Sequence, residues 1–228
     1  MISMFVKNEA AMKVGDYLIV TDVHIGLTKE LWEAGVSLPS QVKSLAKRLN
    51  KLKGMTRSKN LIINGDLKHK IVGISLQERK EVPEFLQLLK FKKIIICKGN
   101  HDGHIEKLVS DNSKVIIKKS FAVGNYLFTH GHRNVKTSKK FIVVGHNHLK
   151  IRFRDEMGAV YDEPVWVRGK ALVRTIIIMP AFNDLSGGYV ANKGKFQGPI
   201  ASHLTNKARV YLLDGTDLGR IRDLKAKE

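Results

Sequence analysis

The sequence predicts an α/β fold with a largely parallel β-sheet, on which a second, mostly antiparallel sheet packs. In the first two-thirds of the chain, short apolar runs bounded by glycine and polar residues recur, as is typical of buried strands. Between them lie stretches whose apolar residues fall on one helical face, and strands that alternate with helices predict βαβ units. The last third instead has short apolar runs joined by glycine turns, without a clear amphipathic helix.

Each of five apolar runs in the first part leads directly into polar residues that can bind a metal. These predicted strands cover residues 17–20, 61–63, 94–97, 126–129 and 141–144. In open α/β sheets, ligands bind at the carboxyl ends of the strands. The polar residues after the five runs can therefore converge, although they lie far apart in the sequence.

Two predicted helices and four further strands complete the secondary structure. Residues 41–53 and 78–90 carry apolar residues at helical spacing, with lysine and arginine prominent on the other face of the first. The later strands are predicted at residues 152–158, 165–169, 171–178 and 208–213, with turns at Gly158, Gly169 and Asp214-Gly215. Because no linker, repeat or low-complexity tract divides the chain, we expect a single domain over residues 1–228. Residues 1–148 would supply the metal ligands, and residues 149–228 the antiparallel part.

Composition predicts a cytoplasmic globular protein. The 228 residues, 43% of them hydrophobic and 27% charged, can build one large core and are unlike a disordered chain. The apolar runs are too short to span a bilayer, and residues 1–13 do not resemble a signal peptide. The single cysteine, Cys97, cannot form an internal disulfide, which fits a reducing compartment. No membrane partner is expected.

The chain is strongly basic, with 40 lysines and arginines against 21 acidic residues and a net charge of +19. A basic surface attracts polyanions, and nucleic acid is the usual partner. A lysine-rich, solvated surface of the kind found in thermophilic proteins explains the charge equally well, because the lysines are scattered along the chain. The sequence leaves both explanations open.

The polar residues after the predicted strands form a metal-binding constellation. They offer imidazole nitrogen and oxygen donors without a thiolate, from Asp22, His24, Asp66, Asn100, His130, His146 and His148. This donor set suits Mn, Fe, Zn or Ni and differs from a structural cysteine-based zinc site. Seven ligands are too many for one ion with an open position. They suit two divalent ions that share a carboxylate, the arrangement that clamps both oxygens of a phosphoryl displacement.

The same motifs resemble the signature of the calcineurin-like metallophosphoesterases. The matching stretches are Asp22-Val23-His24, Gly65-Asp66 with His69, Gly99-Asn100-His101-Asp102, His130, and Gly145-His146-Asn147-His148. Residues 35–41, 64–69, 129–132, 179–188 and 212–215 are further similar to the archaeal branch related to the SbcD nucleases, also called ICC-like phosphoesterases. The resemblance covers nearly the whole chain.

This resemblance implies a fold, a metal site and a reaction. The fold would be a four-layer αββα sandwich of two packed mixed sheets flanked by helices. Asp22, His24 and His148 would hold one metal, Asn100, His130 and His146 the other, and Asp66 would bridge them. Mn²⁺ is the first choice of metal, with Fe, Zn or Ni as alternatives. A hydroxide between the ions would attack phosphorus.

Five other residues receive expected roles around the metals. His101 would donate a proton to the leaving oxygen, and Asp102 would orient its ring or, less favoured, cap the helix that follows. His69, His132 and Asn183 would contact the substrate or support the ligands.

The expected activity is hydrolysis of phosphodiesters in nucleotides or nucleic acid. Within this enzyme class, a nuclease, a small-nucleotide phosphodiesterase and a phosphomonoesterase remain open. The chain has no phosphate-binding loop of the P-loop type, so a nuclease would lack its own ATPase. The alternative outside the class is a basic nucleic-acid-binding protein with a vestigial or structural metal site. One departure from the family is that only residues 133–140 separate the His130 cluster from the next strand, which removes surface near the site.

Overall fold

A computed structural model describes residues 4–110, 112–171, 173–192 and 196–224 of the chain. Its first sheet has five strands in sequence order: β1 (Met12–Val14), β2 (Tyr17–Val20), β3 (Asn60–Ile63), β4 (Lys93–Cys97) and β5 (Val115–Lys118). Strand β1 is antiparallel to β2, and the other neighbours are parallel. The α-helices of this half are α1 (Leu27–Glu33), α2 (Val42–Thr56), α3 (Leu76–Leu88) and α4 (Glu106–Val109).

The second sheet is mixed. Its strands are β6 (Phe121–Val123), β7 (Tyr126–Phe128), β8 (Phe141–Val144), β9 (Lys150–Arg154), β10 (Val160–Ala171), β11 (Arg174–Ile178), β12 (Arg209–Leu212) and β13 (Asp217–Arg220). The spatial order is β13-β12-β10-β11-β8-β7-β6, and β9 pairs with the first part of β10. Strand β8 is parallel to both β7 and β11, and the other pairs are antiparallel.

Successive apolar side chains of each central strand point to opposite faces of the sheet, so each strand contributes to two packed layers. In β3, Ile62 faces the space between the sheets, whereas Leu61 and Ile63 face the helices. The residues of the space between the sheets are Met12, Ile19, Ile62, Ile95, Cys97, Phe128, Val143, Trp166, Ile177 and Met179, all of them buried. Because both faces of such strands are covered, their sequences are apolar without interruption.

Helices α2 and α3 cover the outer face of the first sheet. Leu49 and Leu52 of α2 and Phe85 of α3 are fully buried there. The helix predicted at residues 78–90 begins earlier, at Leu76, because the Ser75 hydroxyl accepts a hydrogen bond from the Glu78 backbone N–H. The Glu78 carboxylate accepts one from the Ser75 N–H in return, which completes a capping box.

The outer face of the second sheet is covered without an α-helix in the part of the chain that the structure describes. Val135, Ala191, Ile200 and Leu204 pack on it from irregular segments, together with a short 3-10 turn at Ala201–His203. The two packed mixed sheets of the expected sandwich are confirmed.

Two expectations about the strands are wrong. The runs at 126–129 and 141–144 form β7 and β8 of the second sheet, so they do not extend the parallel sheet of the first three. Gly169 is not at a turn, because it lies within β10 opposite Ile176. A Cβ on Gly169 would lie 2.7 Å from Leu204 and 2.9 Å from Ala208, so close packing of the outer layer explains the glycine. Across the described residues, no helix is both long and apolar enough to cross a membrane.

Candidate metal centre

The predicted metal ligands follow the carboxyl ends of strands in both sheets. Asp22 and His24 follow β2, Asp66 follows β3 and Asn100 follows β4, all on the first sheet. His130 follows β7, and His146 and His148 follow β8, on the second sheet. The sheets pack face to face, so the ends of their parallel strands meet at one edge of the sandwich.

The structure places the donors in two groups that share one carboxylate. Asp22, His24, Asp66 and His148 form the first group, and Asp66, His130 and His146 form the second. Within each group, the potential ligand atoms all lie within 4.8 Å of one another. Asn100 joins the second group, since its Oδ1 lies 3.1 Å from His130 Nε2. Nitrogen and oxygen donors that converge in this way fit divalent cations.

Ion pairs between imidazole and carboxylate hold these donors together. His130 Nε2 lies 3.0 Å from Asp66 Oδ2, and His148 Nε2 lies 3.2 Å from Asp22 Oδ1. Burial alone would lower the pKa of His130, but the Asp66 and Asp22 carboxylates raise it to about 9. Burial also opposes charge on Asp66, yet His130 keeps the pKa of that carboxyl below its ordinary value. At His24, burial outweighs the nearby Asp22 and Asp66 charges and lowers the pKa to about 3.

Five of the proposed metal ligands have a left-handed backbone conformation. Asp22, His24, Asp66, His146 and His148 have φ angles of 55°, 48°, 52°, 69° and 43°. Residues with a side chain adopt this region infrequently, and such strain concentrates at functional sites, where the surroundings enforce it. Each of these residues lies in the loop that follows a strand, at the edge where the two sheets meet.

Two motif glycines make room for the ligands. Gly65, with φ of +99°, lies against the His130 ring, and a Cβ at this position would overlap the ring atoms. A Cβ on Gly99 would overlap the Asp66 carboxylate. The glycines of the Gly-Asp and Gly-Asn-His-Asp motifs are therefore required by the close approach of ligands from other strands.

His101 lies at the mouth of the site. Its Nδ1 donates a hydrogen bond to the His69 carbonyl oxygen, and its Nε2 lies 3.8 Å from Asp66 Oδ2. Because a carbonyl oxygen can only accept, the Nδ1 of His101 carries a proton, and Nε2 is the atom that faces the metal ligands. The His101 backbone N–H also donates to Asp66 Oδ1 over 2.9 Å, which links the two motifs.

The role expected of Asp102 is corrected by its contacts. The carboxylate is fully buried and accepts hydrogen bonds from the backbone N–H groups of Asp66, Leu67, Lys68 and Gly99, at 2.8–3.3 Å. The ring of His101 is instead held by the carbonyl of His69. Nor does the Asp102 side chain cap α4, whose N-terminus has no side-chain hydrogen bond. Asp102 thus fixes the backbone that carries Asp66. Burial and the nearby Asp66 charge raise its pKa to about 6, against the effect of its N–H donors.

The other three expected residues surround the ligands. His69 Nδ1 lies 3.3 Å from His24 Nδ1, and its Nε2 lies 2.7 Å from Glu30 Oε2. His24, His69 and His101 also form a third group of mutually close donors. Asn183 is buried behind the ligands, where its Nδ2 donates to the Val23 carbonyl between Asp22 and His24.

His132 packs beside the second group of donors. Its ring centroid lies 5.4 Å from that of His130 and 6.3 Å from that of His146. Burial, followed by the charges of His130 and Arg133, lowers the pKa of His132 to about 4. The Nδ1 atom is buried and has no hydrogen-bond partner among the described residues.

Some residues of the site were missed from sequence. Glu78 accepts hydrogen bonds from the backbone N–H groups of His69 and Lys70, and thereby ties α3 to the loop after Asp66. The spacing Ser75-x-x-Glu78 is a capping-box signal that could have revealed it. Asn64 Nδ2 donates to the carbonyl oxygens of Thr129 and Val143, both at 3.1 Å, and so joins the two sheets directly behind the metal ligands.

The ligands open into a cleft of about 310 Å³. It is lined by Asp66, Asn100, His101, His146, Asn147, His148, Gly187, Gly188, Tyr189 and Gln197. Residues of both donor groups and His101 line this common space, which can admit a phosphate group together with its leaving group.

The sequence model of the calcineurin-like phosphoesterases matches residues 16–208, which include every proposed metal ligand. The chain belongs to this family. With its His and Asp donor groups, it is a metal-dependent phosphoesterase. The family assignment expected from the motifs is confirmed, whereas the SbcD-related branch stays a prediction.

Three solved structures are similar to this chain. The Pseudomonas putida nuclease MPE is similar with a TM-score of 0.59 and 20% identity, over 89% of this chain and 88% of that one. An archaeal phosphodiesterase has a TM-score of 0.39 and 18% identity, over 72% of this phosphoesterase and 83% of that chain. The E. coli phosphoesterase Yfce has a TM-score of 0.43 and 17% identity, over 90% and 97% of the two chains. No curated protein matches the sequence.

Proposed function

We propose that this phosphoesterase hydrolyses phosphodiester bonds of nucleotides or nucleic acid with two divalent metal ions. The observation that carries the proposal is the position of Asp66, whose carboxylate belongs to both donor groups. A shared carboxylate brings two cations close enough to act on one phosphate. The nuclease and phosphodiesterase named above are consistent with this substrate class.

The ligands divide between the two metals as follows. Asp22, His24 and His148 would hold one ion, Asn100, His130 and His146 would hold the other, and Asp66 would contribute to both. Mn²⁺ is our first choice, and Fe, Zn or Ni suit the same donors. When bound, such ions lower the pKa of water into the working range and neutralise charge on the phosphate. Asn100 is a neutral ligand, so it limits the negative charge that a phosphate must approach.

His101 is the proposed proton donor. Its Nδ1 proton is held by the His69 carbonyl, so the proton that it delivers is the one on Nε2 of the imidazolium form. Nε2 lies 3.8 Å from Asp66 Oδ2 and so faces the proposed metal ligands. We propose that His101 protonates the leaving oxygen, while Asp102 acts only through the backbone of Asp66.

His101→Ala tests this role through the choice of leaving group. A dinucleotide releases a basic alkoxide that needs a proton, whereas bis-p-nitrophenyl phosphate releases a stable phenolate. We expect turnover of the dinucleotide to fall by about 10²- to 10⁴-fold, and that of the phenyl diester to fall less. His203→Ala is the control, since His203 is exposed in a surface turn. Equal losses on both substrates would remove His101 from the proton-donor role.

A substrate panel tests the reaction class itself. Wild-type protein supplied with Mn²⁺ should turn over phosphodiesters faster than p-nitrophenyl phosphate, a monoester. Preference for the monoester would contradict the proposed diesterase. Binding of nucleic acid without hydrolysis of any ester would support the alternative of a binding protein with a structural metal site.

We also propose a cytoplasmic location. Cys97 is fully buried between the sheets, and burial raises the pKa of its thiol to about 12. It therefore serves as a small apolar side chain, which is compatible with a reducing compartment.

A further inference from the structure

A second cleft of about 480 Å³ adjoins the metal centre. It is lined by Lys98, Gly99, Asn100, Gly103, Lys119, Ser120, Thr129, His132, Arg133, Asn134, Val135 and Lys136. Asn100 lines this cleft and also the cleft over the metal ligands, so the two spaces meet at that residue. Asn100 therefore places the second cleft directly beside the proposed metal centre.

The charged residues that line this second cleft are all basic. Four of its lining residues are cationic and none is acidic. The Lys98 amino group is paired with the Glu106 carboxylate at 2.7 Å. Lys119, Arg133 and Lys136 are exposed, and none of the three forms an ion pair with a residue that the structure describes. Like charges crowded in one cleft repel each other, so this arrangement favours an anionic occupant.

The segment that connects β7 to β8 forms one wall of this cleft. Arg133, Asn134, Val135 and Lys136 belong to the connection at residues 133–140. The opposite wall comes from the end of β4 and from Lys119 and Ser120, which join the first sheet to the second. The cleft is therefore an open, basic space between these two segments, beside the proposed metal centre.

We propose that this basic cleft binds the phosphate next to the scissile one in a nucleic acid strand. The inference rests on the proposed phosphodiesterase function and specifies its substrate class. Lys119, Arg133 and Lys136 are the proposed phosphate contacts, and Arg133 can bind two phosphate oxygens at once. Beside the metal ligands, Tyr189 is 39% exposed and offers a surface on which a base can stack. The enzyme should therefore prefer diesters that carry at least one further phosphate.

The test compares the triple variant Lys119→Ala, Arg133→Ala, Lys136→Ala with a matched control. The control is Lys51→Ala, Lys90→Ala, Lys92→Ala, which removes the same charge from exposed lysines without ion pairs among the described residues. Lys90 and Lys92 precede β4, so they lie at the end of the strand opposite to Asn100. Turnover is measured on bis-p-nitrophenyl phosphate and on a short single-stranded oligodeoxynucleotide.

For the cleft variant, we expect kcat/KM on the oligonucleotide to fall roughly tenfold or more, because three exposed charge contacts are lost. Its kcat/KM on bis-p-nitrophenyl phosphate should stay within about twofold of wild type, since that substrate has one phosphate. The salt dependence of oligonucleotide binding should also weaken, by about 0.7 in the logarithmic slope for each lost phosphate contact. The control variant should behave as wild type on both substrates.

Three outcomes would overturn the inference. They are equal effects of the two triple variants, equal losses on both substrates, and a wild-type enzyme that hydrolyses the phenyl diester but not the oligonucleotide. In each of these cases the phosphodiesterase function can still stand. Failure of that function has a different signature, which is a wild-type protein that hydrolyses neither diester when supplied with Mn²⁺.

Discussion

The glycines of the metal-binding motifs lie against ligands from other strands. A Cβ on Gly99 would overlap the Asp66 carboxylate, and a Cβ on Gly145 would overlap the Thr21 hydroxyl and lie 2.7 Å from Asp22 Oδ2. At the scale of single residues, the site therefore requires glycine at these positions as well as the residues that can bind metal. Asp66 and His146, which have a left-handed backbone, lie in this same closely packed region.

Gly99→Ala should displace the Asp66 carboxylate and abolish the binding of at least one metal. The reason is that the new methyl group and Asp66 would occupy the same space. Metal content after dialysis, measured by elemental analysis, checks this. Gly54→Ala is the control, because a Cβ there meets no atom within 4 Å. A Gly99→Ala protein that keeps its full metal content would contradict the role assigned to Asp66.

The pKa of His130 makes the stability of the metal-free protein depend on pH. The pKa rises from 6.5 to about 9 in the folded protein, so the protonated form stabilises the fold. This contribution is complete below pH 6.5 and is lost as the pH rises through 9. The thermal midpoint of metal-free protein should therefore fall between about pH 7 and pH 10, and His130→Gln should flatten that fall. A midpoint that rises over this range would contradict the ion pair with Asp66.

At the scale of elements, helix α3 supports the loop that carries His69 and, through it, His101. The Glu78 carboxylate accepts hydrogen bonds from the N–H groups of His69, Lys70 and Ser75. The His69 carbonyl in turn holds the His101 ring. The start of α3 is thus connected to the proposed proton donor by two successive contacts.

A comparison of Ser75→Ala with Glu78→Ala should distinguish the effect of losing the helix cap from the effect of losing the contact that supports His69. Ser75→Ala removes only the cap and should cost about 1 kcal/mol of unfolding free energy, with little change in turnover. Glu78→Ala also frees the backbone of His69, so we expect a lower kcat while the metal content is retained. Urea unfolding and steady-state kinetics measure the two effects. Equal kcat values for the two variants would contradict the proposed link from α3 to His101.

The sequence predicted the family and the strands of the first sheet, because the motif residues follow short apolar runs, whereas the metal ligands stay a prediction. It could not assign β7 and β8 to the second sheet, since periodicity within a run carries no information about its neighbours. The same limit applies to Gly169, which packs against residues distant in sequence. The contacts of Asp102 depend on where four backbone N–H groups point, which only the fold determines.

At the scale of the whole molecule, the metal centre lies where the two sheets meet. Each sheet contributes ligands to both donor groups, and Asn64 joins the sheets behind them. Trp166 of β10 is fully buried between the sheets and stacks on Phe5 at 3.9 Å between ring centroids. We therefore propose that residues 1–148 and 149–228 form one domain.

Unfolding in urea should then be a single cooperative transition. Trp166 reports the space between the sheets by fluorescence, and Trp32→Phe removes the signal of the exposed tryptophan. Far-ultraviolet circular dichroism reports the α-helices, which in the described chain all belong to the half that contains the first sheet. The two signals should change together. Separate transitions would contradict a single domain.

The central claim is that Asp66 binds two metal ions at once. It is tested most directly by electron paramagnetic resonance of the protein loaded with Mn²⁺. Two ions bridged by one carboxylate are magnetically coupled, so we expect two Mn²⁺ per chain and the spectrum of a coupled pair. In Asp66→Asn the coupling should weaken or disappear. A wild-type protein that binds one Mn²⁺, or two that give only the spectrum of isolated ions, would contradict the central claim.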